Sequence, residues 1–390
     1  MKVAVVHDWL ATYAGSERAL EQILVVLPGA DLFAVVDFLP PGERAFLGGR
    51  TPGTTLIQRL PFARRAFRGY LPLMPLAIEQ LDLSGYDLVV SSSHAVAKGV
   101  LAGPDALHVC YCYSPLRYAW ELQHEYLREA RLEHGPRGWL TRALLHRLRA
   151  WDVRSAAGVD RFVGISHFIA RRIRRAYRRR AAVIYPPVDL ERFRPADAPR
   201  GNYYVTASRF VPYKRIPMIV EAFRAMPDRE LVVIGDGPQH REVTRAAGPN
   251  VRLLGHVPDA ELARWVGGAR AFLFAAVEDF GIAPIEAQAA GTPVIAYAGG
   301  ALRETIRGLD TDEPSGVLYP EQTSAALRDA VARFEAVEHE LSPAACRANA
   351  ERFSTERFRS EFGAYLTRAL AVHRLRLARG VPSARMAVRP

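Results

Sequence analysis

A chain of 390 residues is too long for one ordinary core and suits two α/β domains. Hydrophobic residues at 49% and charged residues at 24% exclude a disordered polymer, and no apolar run approaches the ~18 residues that a bilayer span requires. The net charge of +11, supplied mostly by arginine, favours an anionic partner without choosing among nucleic acid, phosphorylated small molecules and an anionic membrane surface.

The first half alternates short β-like runs with amphipathic stretches. Residues 2–6 read as a strand, followed by a loop through Gly15 and a helix over 16–27, with Ser16 as N-cap and Glu17 in the first turn. The opening apolar run meets His7 and Asp8 too early to be a signal-peptide core, which predicts a cytoplasmic protein. Further strands are expected over 31–36, 86–91, 107–112 and 161–165, and strands spaced by helices predict a parallel sheet wound on both faces. Two basic stretches stand out. Residues 59–72 interleave arginines with aromatic and aliphatic side chains, and 137–154 read as one amphipathic helix carrying Trp139 and Trp151. Each is either a solvated basic face or a surface for anionic lipid.

Tyr185-Pro186-Pro187 breaks the rhythm, and 194–202 are rich in proline, arginine and alanine. The expected division is therefore an N-terminal domain over 1–185, a linker over 186–202 and a C-terminal domain over 203–354. A helix over 355–378 then returns to the N-terminal domain, and 379–390 form a frayed tail. In the C-terminal domain, strands are expected over 203–207, 230–234, 251–254, 271–275 and 294–297. Its helices are expected over 216–226, near 238, 259, 284 and 301, and over 323–334. Two such doubly wound domains facing each other leave a cleft at the carboxyl ends of their strands, where open α/β sheets bind ligands. Cys110, Cys112 and Cys346 read as reduced buried thiols, with no second Cys/His pair at zinc spacing.

The segment Glu278-Asp279-Phe280-Gly281-Ile282-Ala283-Pro284-Ile285-Glu286 carries the most information. It follows an apolar strand, so its carboxylates sit near a strand's carboxyl end. Pro284 suits the first turn of a helix, and the backbone N–H groups of Phe280 to Ala283 then point outward at a helix N-terminus. Ionised carboxylates accept hydrogen bonds from vicinal diols of ribose or hexose. Either glutamate alone reads as ordinary; the whole string does not. A second set, Ser208-Arg209-Phe210-Val211-Pro212-Tyr213-Lys214, follows strand 203–207 and places two cations on a strand-to-helix turn, where they can neutralise a diphosphate leaving group.

Glu278 and Glu286 with seven residues between them, inside E-D-F-G-I-x-P-x-E and followed by Gly291-Thr292-Pro293-Val294-Ile295, resemble the signature of the retaining family-4 glycosyltransferases. The resemblance spans nearly the whole chain and implies the GT-B fold of two Rossmann-like doubly wound domains. It implies that Glu286 binds the donor ribose, that Glu278 binds the transferred sugar, and that Phe280, Gly281 and Ile282 supply backbone donors. It assigns Arg209 and Lys214 to the diphosphate, Gly235 to a tight turn beside the nucleotide, and the backbone of Gly255-His256-Val257 to the base. Gly15, preceded by Ala14 where relatives often have a second glycine, would let the backbone approach the donor phosphate.

Tyr113-Ser114-Pro115-Leu116-Arg117-Tyr118-Ala119-Trp120 resembles a subgroup of mannosyl- and related transferases of surface polysaccharides, written H-[ST]-P-x-R-x-x-W. Tyr113 stands where that pattern has histidine; it can donate a hydrogen bond but is no base at neutral pH. His94 is a candidate substitute, and His94 and Arg117 are the acceptor or sugar-side candidates. The expected activity is transfer of a hexose, mannose from GDP-mannose first, to a sugar hydroxyl of a glycan or polyprenyl-linked acceptor. No metal or other cofactor is expected, because the resemblance gives that part to Arg209 and Lys214 and no D-x-D pair suited to a nucleotide-sugar metal site is found. The alternatives are a UDP- or dTDP-sugar donor and a non-catalytic sugar-nucleotide-binding protein. Nucleic acid is not an expected partner, since no helix-turn-helix, zinc-finger or RRM string occurs. The expected location is the cytoplasm, with peripheral contact at the inner face of an anionic membrane.

Overall fold

A computed structural model describes residues 1–195 and 200–379 and divides the chain into two compact units. The N-terminal unit is Met1–Tyr185 together with the chain from Phe358 on, and the C-terminal unit is Pro186–Arg357. Part of the stretch expected as a linker, residues 196–199, and the expected tail from Gly380 on lie outside the described residues.

The N-terminal unit contains strands β1 (Val3–His7), β2 (Asp31–Ala34), β3 (Gly53–Thr54), β4 (Leu88–Ser93), β5 (Leu107–Cys112), β6 (Arg161–Gly164) and β7 (Ala181–Val183). They form one parallel sheet in the order β3-β2-β1-β4-β5-β6-β7. Every residue of β1, β4 and β5 is buried, as expected of central parallel strands covered on both faces. The helices here are α1 (Gly15–Val26), α2 (Ala63–Ala66), α3 (Met74–Glu79), α4 (Gln123–Glu129), α5 (Gly135–Ala156) and α6 (His167–Tyr177).

Two local expectations need correction. The N-cap of α1 is Ala14, not Ser16: the Glu17 carboxylate reaches back to accept from the Ala14 N–H at 3.1 Å, and Ser16 lies inside the first turn. Helix α5 is not amphipathic along its whole length. Trp139 and Leu140 are 73% and 63% exposed, whereas Leu145, Leu148, Trp151, Asp152 and Ala156 are buried.

The C-terminal unit contains β8 (Tyr203–Ala207), β9 (Glu230–Ile234), β10 (Val251–Gly255), β11 (Ala271–Phe274), β12 (Val294–Tyr297) and β13 (Gly316–Tyr319). These are also parallel, in the order β10-β9-β8-β11-β12-β13. The helices are α7 (Ile216–Arg224), α8 (His240–Ala246), α9 (Asp259–Gly267), α10 (Ile282–Ala289), α11 (Leu302–Thr305), α12 (Ser324–Val337) and α13 (Pro343–Glu351). Ile219, Val220 and Phe223 of α7 and Leu327, Val331 and Phe334 of α12 pack with Leu231, Val233 and Leu273 of the sheet in one core.

The G-T-P-V-I string now has a structural cause. Gly291 takes φ +78 just past α10, a left-handed stop that few other residues tolerate. The Thr292 hydroxyl donates to the Val266 carbonyl at 2.8 Å, and Pro293 leads into β12. The last helix, α14 (Thr355–Ala378), begins in the C-terminal unit and from Phe358 is part of the N-terminal one. Among the described residues no helix is long and apolar enough to cross a membrane.

Candidate functional site

In both sheets the strand order reverses beside the first strand, between β1 and β4 and between β8 and β11. Loops leaving such a reversal diverge and open a crevice at the strands' carboxyl ends. In the C-terminal unit the two motif segments leave β8 and β11, one on each side of this point.

They meet directly. Lys214, in a 3-10 turn after β8, donates from Nζ to Glu278 Oε1 at 2.6 Å, although 64 residues separate them. Both side chains are mostly covered, at 18% and 16% exposure, and the ammonium lies 5.2 Å from the Phe274 ring centre. The backbone of Glu278 is fixed independently: it pairs with Gly300, and its carbonyl accepts from the Ala301 N–H at 2.9 Å. Arg209 is exposed on the same turn as Lys214 and makes no ion pair among the described residues.

Helix α10 starts just beyond Glu278 with Gly281 as N-cap. The Phe280 ring is buried 5.5 Å from that of Phe353, so this residue can offer only its backbone outward. Glu286 is half-buried one turn into α10. The helix is held from behind by a buried polar knot. Gln288 Nε2 donates to the Pro284 and Thr305 carbonyls at 3.0 and 3.1 Å. Asn349 Nδ2 in turn donates to Gln288 Oε1 at 2.5 Å. An ammonium, two carboxylates and the first N–H groups of a helix are thus gathered by one fold unit, a set able to hold a phosphorylated polyol.

The third edge of this region is backbone packed on backbone. The Gly235 N–H donates to the Gly255 carbonyl at 2.8 Å, and Phe210 N–H donates to the Asp236 carbonyl at 2.9 Å. Val257 follows with its side chain buried, while His256 is exposed. A Cβ on Gly235, at φ +125, would stand 1.9 Å from the Ser208 carbonyl oxygen. Gly235→Ala is therefore expected to push back the turn that carries Arg209 and to destabilise the protein by about 1–3 kcal/mol, read as a fall in melting temperature. An unchanged melting curve would refute this packing argument.

In the N-terminal unit the sequence-derived candidates cluster on the loops after β1, β4 and β5. The Tyr113 hydroxyl donates to the Ser16 carbonyl at 3.0 Å and lies 2.8 Å from Ser92 Oγ. With its proton so placed, Tyr113 accepts from Ser92, which in turn accepts from His7 Nδ1 at 3.0 Å. Burial pushes the Tyr113 phenol well above its ordinary range, so it stays protonated. The far nitrogen of His7 is 3.5 Å from Glu17 Oε1. Burial raises the Glu17 carboxyl, but His7, the backbone and Ser16 together hold it below its usual value. Glu17 thereby joins this chain of groups to the first turn of α1, where Gly15 begins the helix.

His94 is placed by Asp8. The Asp8 carboxylate accepts from four successive backbone N–H groups, His94 to Ala97, at 2.5–2.9 Å, and lies 3.0 Å from His94 Nδ1. Desolvation lowers the His94 pKa and outweighs the Asp8 carboxylate, which raises it, so the imidazole is neutral at neutral pH. The ring is 28% exposed and meets Trp9 edge-on at 4.5 Å. Arg117 is half-buried on the loop after β5. Sequence reading missed His7, Asp8, Glu17, Ser92 and Gly300 as parts of these arrangements; the Gly299-Gly300 pair after a strand is a turn signal that could have found the last of them.

Family models match both halves of the chain. A family model described as "Glycosyl transferases group 1" matches residues 188–353, and one described as "Glycosyltransferase Family 4" matches residues 15–192. A D-inositol 3-phosphate glycosyltransferase of Geodermatophilus obscurus is 34% identical over 212 residues, which cover 46% of this chain and 45% of that protein. A GDP-mannose-dependent monoacylated alpha-(1-6)-phosphatidylinositol monomannoside mannosyltransferase of Corynebacterium glutamicum is 30% identical over 198 residues, 41% of this chain and 52% of that protein. The matches thus span about half the length of these relatives. The crystal structure of Anabaena Alr3699/HepE in complex with UDP superposes with a TM-score of 0.67 at 15% identity, covering 94% of this chain and 100% of that one. Two family models that together run from residue 15 to residue 353, on two parallel α/β sheets of this order, place the chain in the family-4 glycosyltransferases with the GT-B fold.

Proposed function

We propose that this protein is a retaining, metal-independent hexosyltransferase that moves mannose from GDP-mannose to a sugar hydroxyl of a glycan or polyprenyl-linked acceptor at the cytoplasmic face of a membrane. The observation that carries the reading is the meeting of Lys214 and Glu278 at 2.6 Å on the strand-order reversal, with the N-terminus of α10 beside them. Lys214 and Arg209 take the donor diphosphate, Glu278 and the Phe280–Ile282 backbone take the sugar, and Glu286 takes the ribose. Gly235 and Val257 bound the nucleotide through their backbones, and Gly15 allows close approach to phosphate. The named activity of the Corynebacterium relative supports GDP-mannose as donor.

In the reaction the bond from C1 to the diphosphate oxygen breaks and a bond from C1 to the acceptor oxygen forms on the same face. The acceptor's proton passes to the departing diphosphate. Two cations at that diphosphate stabilise the charge as it grows, and positioning supplies much of the rest. In the N-terminal unit, neutral His94 and Arg117 serve the acceptor or sugar side, and the Tyr113 hydroxyl serves there too while anchored to Ser16 and Ser92.

A thermal-shift panel with GDP, UDP, dTDP and ADP and their sugar derivatives, without added metal, tests the assignment. A ligand at 100 times its Kd is expected to stabilise the fold by about 2.7 kcal/mol. A response confined to guanine species supports the mannosyl donor. A response to uridine or thymidine species replaces the donor, turnover of any donor eliminates a merely binding protein, and silence across the panel rejects the site.

A further inference from the structure

We propose that the surface formed by residues 56–76 docks on an anionic lipid bilayer, with Phe62 as the side chain that enters the lipid. The segment is a chain of short helical turns: Leu56–Arg59, α2, Phe67–Leu73 and α3. It is not loosely attached. Ile57, Ala63, Phe67 and Met74 are buried, and the first, third and fourth of these belong to the hydrophobic core of the N-terminal unit. Yet the same turns present a second apolar set outward: Phe62 is 81% exposed, Leu76 56%, Leu56 49% and Leu73 45%. Between them stand Arg59, Arg64, Arg65 and Arg68, all exposed, and the sequence has no Asp or Glu from Thr51 to Ile78.

Phe62 is held in a costly conformation to present its ring. Its backbone is left-handed, φ 56 and ψ 10, which a bulky residue adopts rarely and glycine adopts freely. The corner is fixed from both sides: the Tyr70 hydroxyl donates to the Pro61 carbonyl at 2.7 Å, and the Phe62 carbonyl accepts from the N–H groups of Arg65 and Ala66 at 2.9 Å. A strained, exposed phenylalanine gains nothing for the folded chain in water. At a bilayer interface its ring and the three leucines leave water, while the guanidinium groups meet anionic headgroups. Three exposed leucines are what separate this surface from a nucleic-acid site, which rewards stacked rings and phosphate contacts.

The other basic stretch fits less well. In α5, Arg142 donates to the Glu133 carbonyl, Arg149 donates to the Ala119 carbonyl, and Arg154 pairs with Glu79, so three of its arginines are engaged within the protein.

The docking surface also adjoins the acceptor-side residues. The Arg68 guanidinium lies 5.8 Å from the Trp9 ring, and Trp9 meets His94 at 4.5 Å. On the acceptor reading proposed above, on which this last step rests, a lipid-linked acceptor on the docked bilayer is delivered next to His94.

The test uses the full chain and sedimentation with sucrose-loaded vesicles, either phosphatidylcholine alone or phosphatidylcholine mixed with phosphatidylglycerol. Binding to the mixed vesicles alone is expected, weakening as salt is added. Phe62→Gly is expected to lower binding roughly tenfold or more, with a melting temperature equal to or above that of the wild type. Arg64→Gln with Arg65→Gln is expected to lower it roughly 30-fold, from about one headgroup attraction per charge. Equal binding to neutral vesicles, or full binding by folded Phe62→Gly, overturns the proposal. So does capture by RNA or heparin that Phe62→Gly leaves unchanged and that abolishes vesicle binding. The nucleotide panel reports on the enzyme reading separately: vesicle binding without any nucleotide response keeps the surface and removes the acceptor step.

Discussion

Replacing Lys214 with alanine is expected to lower kcat/KM for sugar transfer by about 10²–10³-fold, or about 2.7–4 kcal/mol, while the protein stays folded. The ammonium is held 2.6 Å from Glu278 and 5.2 Å from the Phe274 ring. Its place is fixed before any charge develops, which is what makes such a group effective at a leaving diphosphate. The cost to stability is expected to be small beside this, because both side chains keep some exposure, 18% and 16%, and water can take up part of the lost pairing. Lys214→Arg is expected to recover only part of the rate, since a planar guanidinium does not occupy the position of a compact ammonium. The measurement is steady-state transfer with the sugar nucleotide that the thermal-shift panel selects, alongside melting curves for each variant. A loss confined to KM, or a loss of rate matched by a loss of folded protein, removes Lys214 from the reaction.

Asp152→Ala is expected to be the most damaging single change in the N-terminal unit. Lys98 donates from Nζ to Asp152 Oδ1 at 2.6 Å, with side-chain exposures of 2% and 0%. The same carboxylate accepts from Trp120 Nε1 at 2.8 Å and from the Tyr177 hydroxyl at 2.9 Å. One carboxylate thereby joins the turn after β4, the loop after β5, α5 and α6. Removing it leaves a buried ammonium uncompensated, at about 3–5 kcal/mol, before the two orphaned donors are counted. Typical domains have only about 5–15 kcal/mol in total, so the expected result is loss of soluble protein or a steep fall in the urea midpoint. Changing Lys98→Met together with Asp152→Asn is expected to be milder than Asp152→Ala alone, because no bare charge is left inside. If the single variant melts like wild type, the network does not hold the unit together.

Much of the frame was legible because parallel strands leave a strong trace. β5, β8, β9 and β12 coincide with the apolar runs read from the sequence, and the other expected strands are displaced by one or two residues at their ends. Of the strands that escaped notice, β3 and β7 have two and three residues, too short to stand out from the segments around them, whereas β13, at four residues, is no shorter than β2, β6, β11 and β12. Helix α13 escaped because PAACRANAE carries almost no apolar stripe. The Glu278 and Lys214 segments were visible singly as motifs, but their meeting depends on the strand order, which no local pattern encodes. The same holds for Tyr113. Its hydroxyl is anchored by Ser92 and by a carbonyl on α1, and contacts 21 and 97 residues away along the chain leave no mark on spacing. Ser16 was misjudged as a cap because hydroxyl residues usually hold that position. Here Glu17 reaches the Ala14 N–H instead, and an alanine cap suffices.

The route of α14 has a consequence for how the chain matures. Tyr111, at the centre of β5, rests against the rings of Phe358 and Phe362, at 5.6 and 5.7 Å, and those two stack on each other at 5.4 Å. The N-terminal sheet is therefore completed only by residues that follow the entire C-terminal unit. On a ribosome adding about 5–20 residues per second, the first-made sheet waits on the order of ten seconds or more for the helix that covers it. During that interval the aromatic face around Tyr111 is open to chaperones and to neighbouring nascent chains. Of the two units, the one synthesised first is the last to be completed.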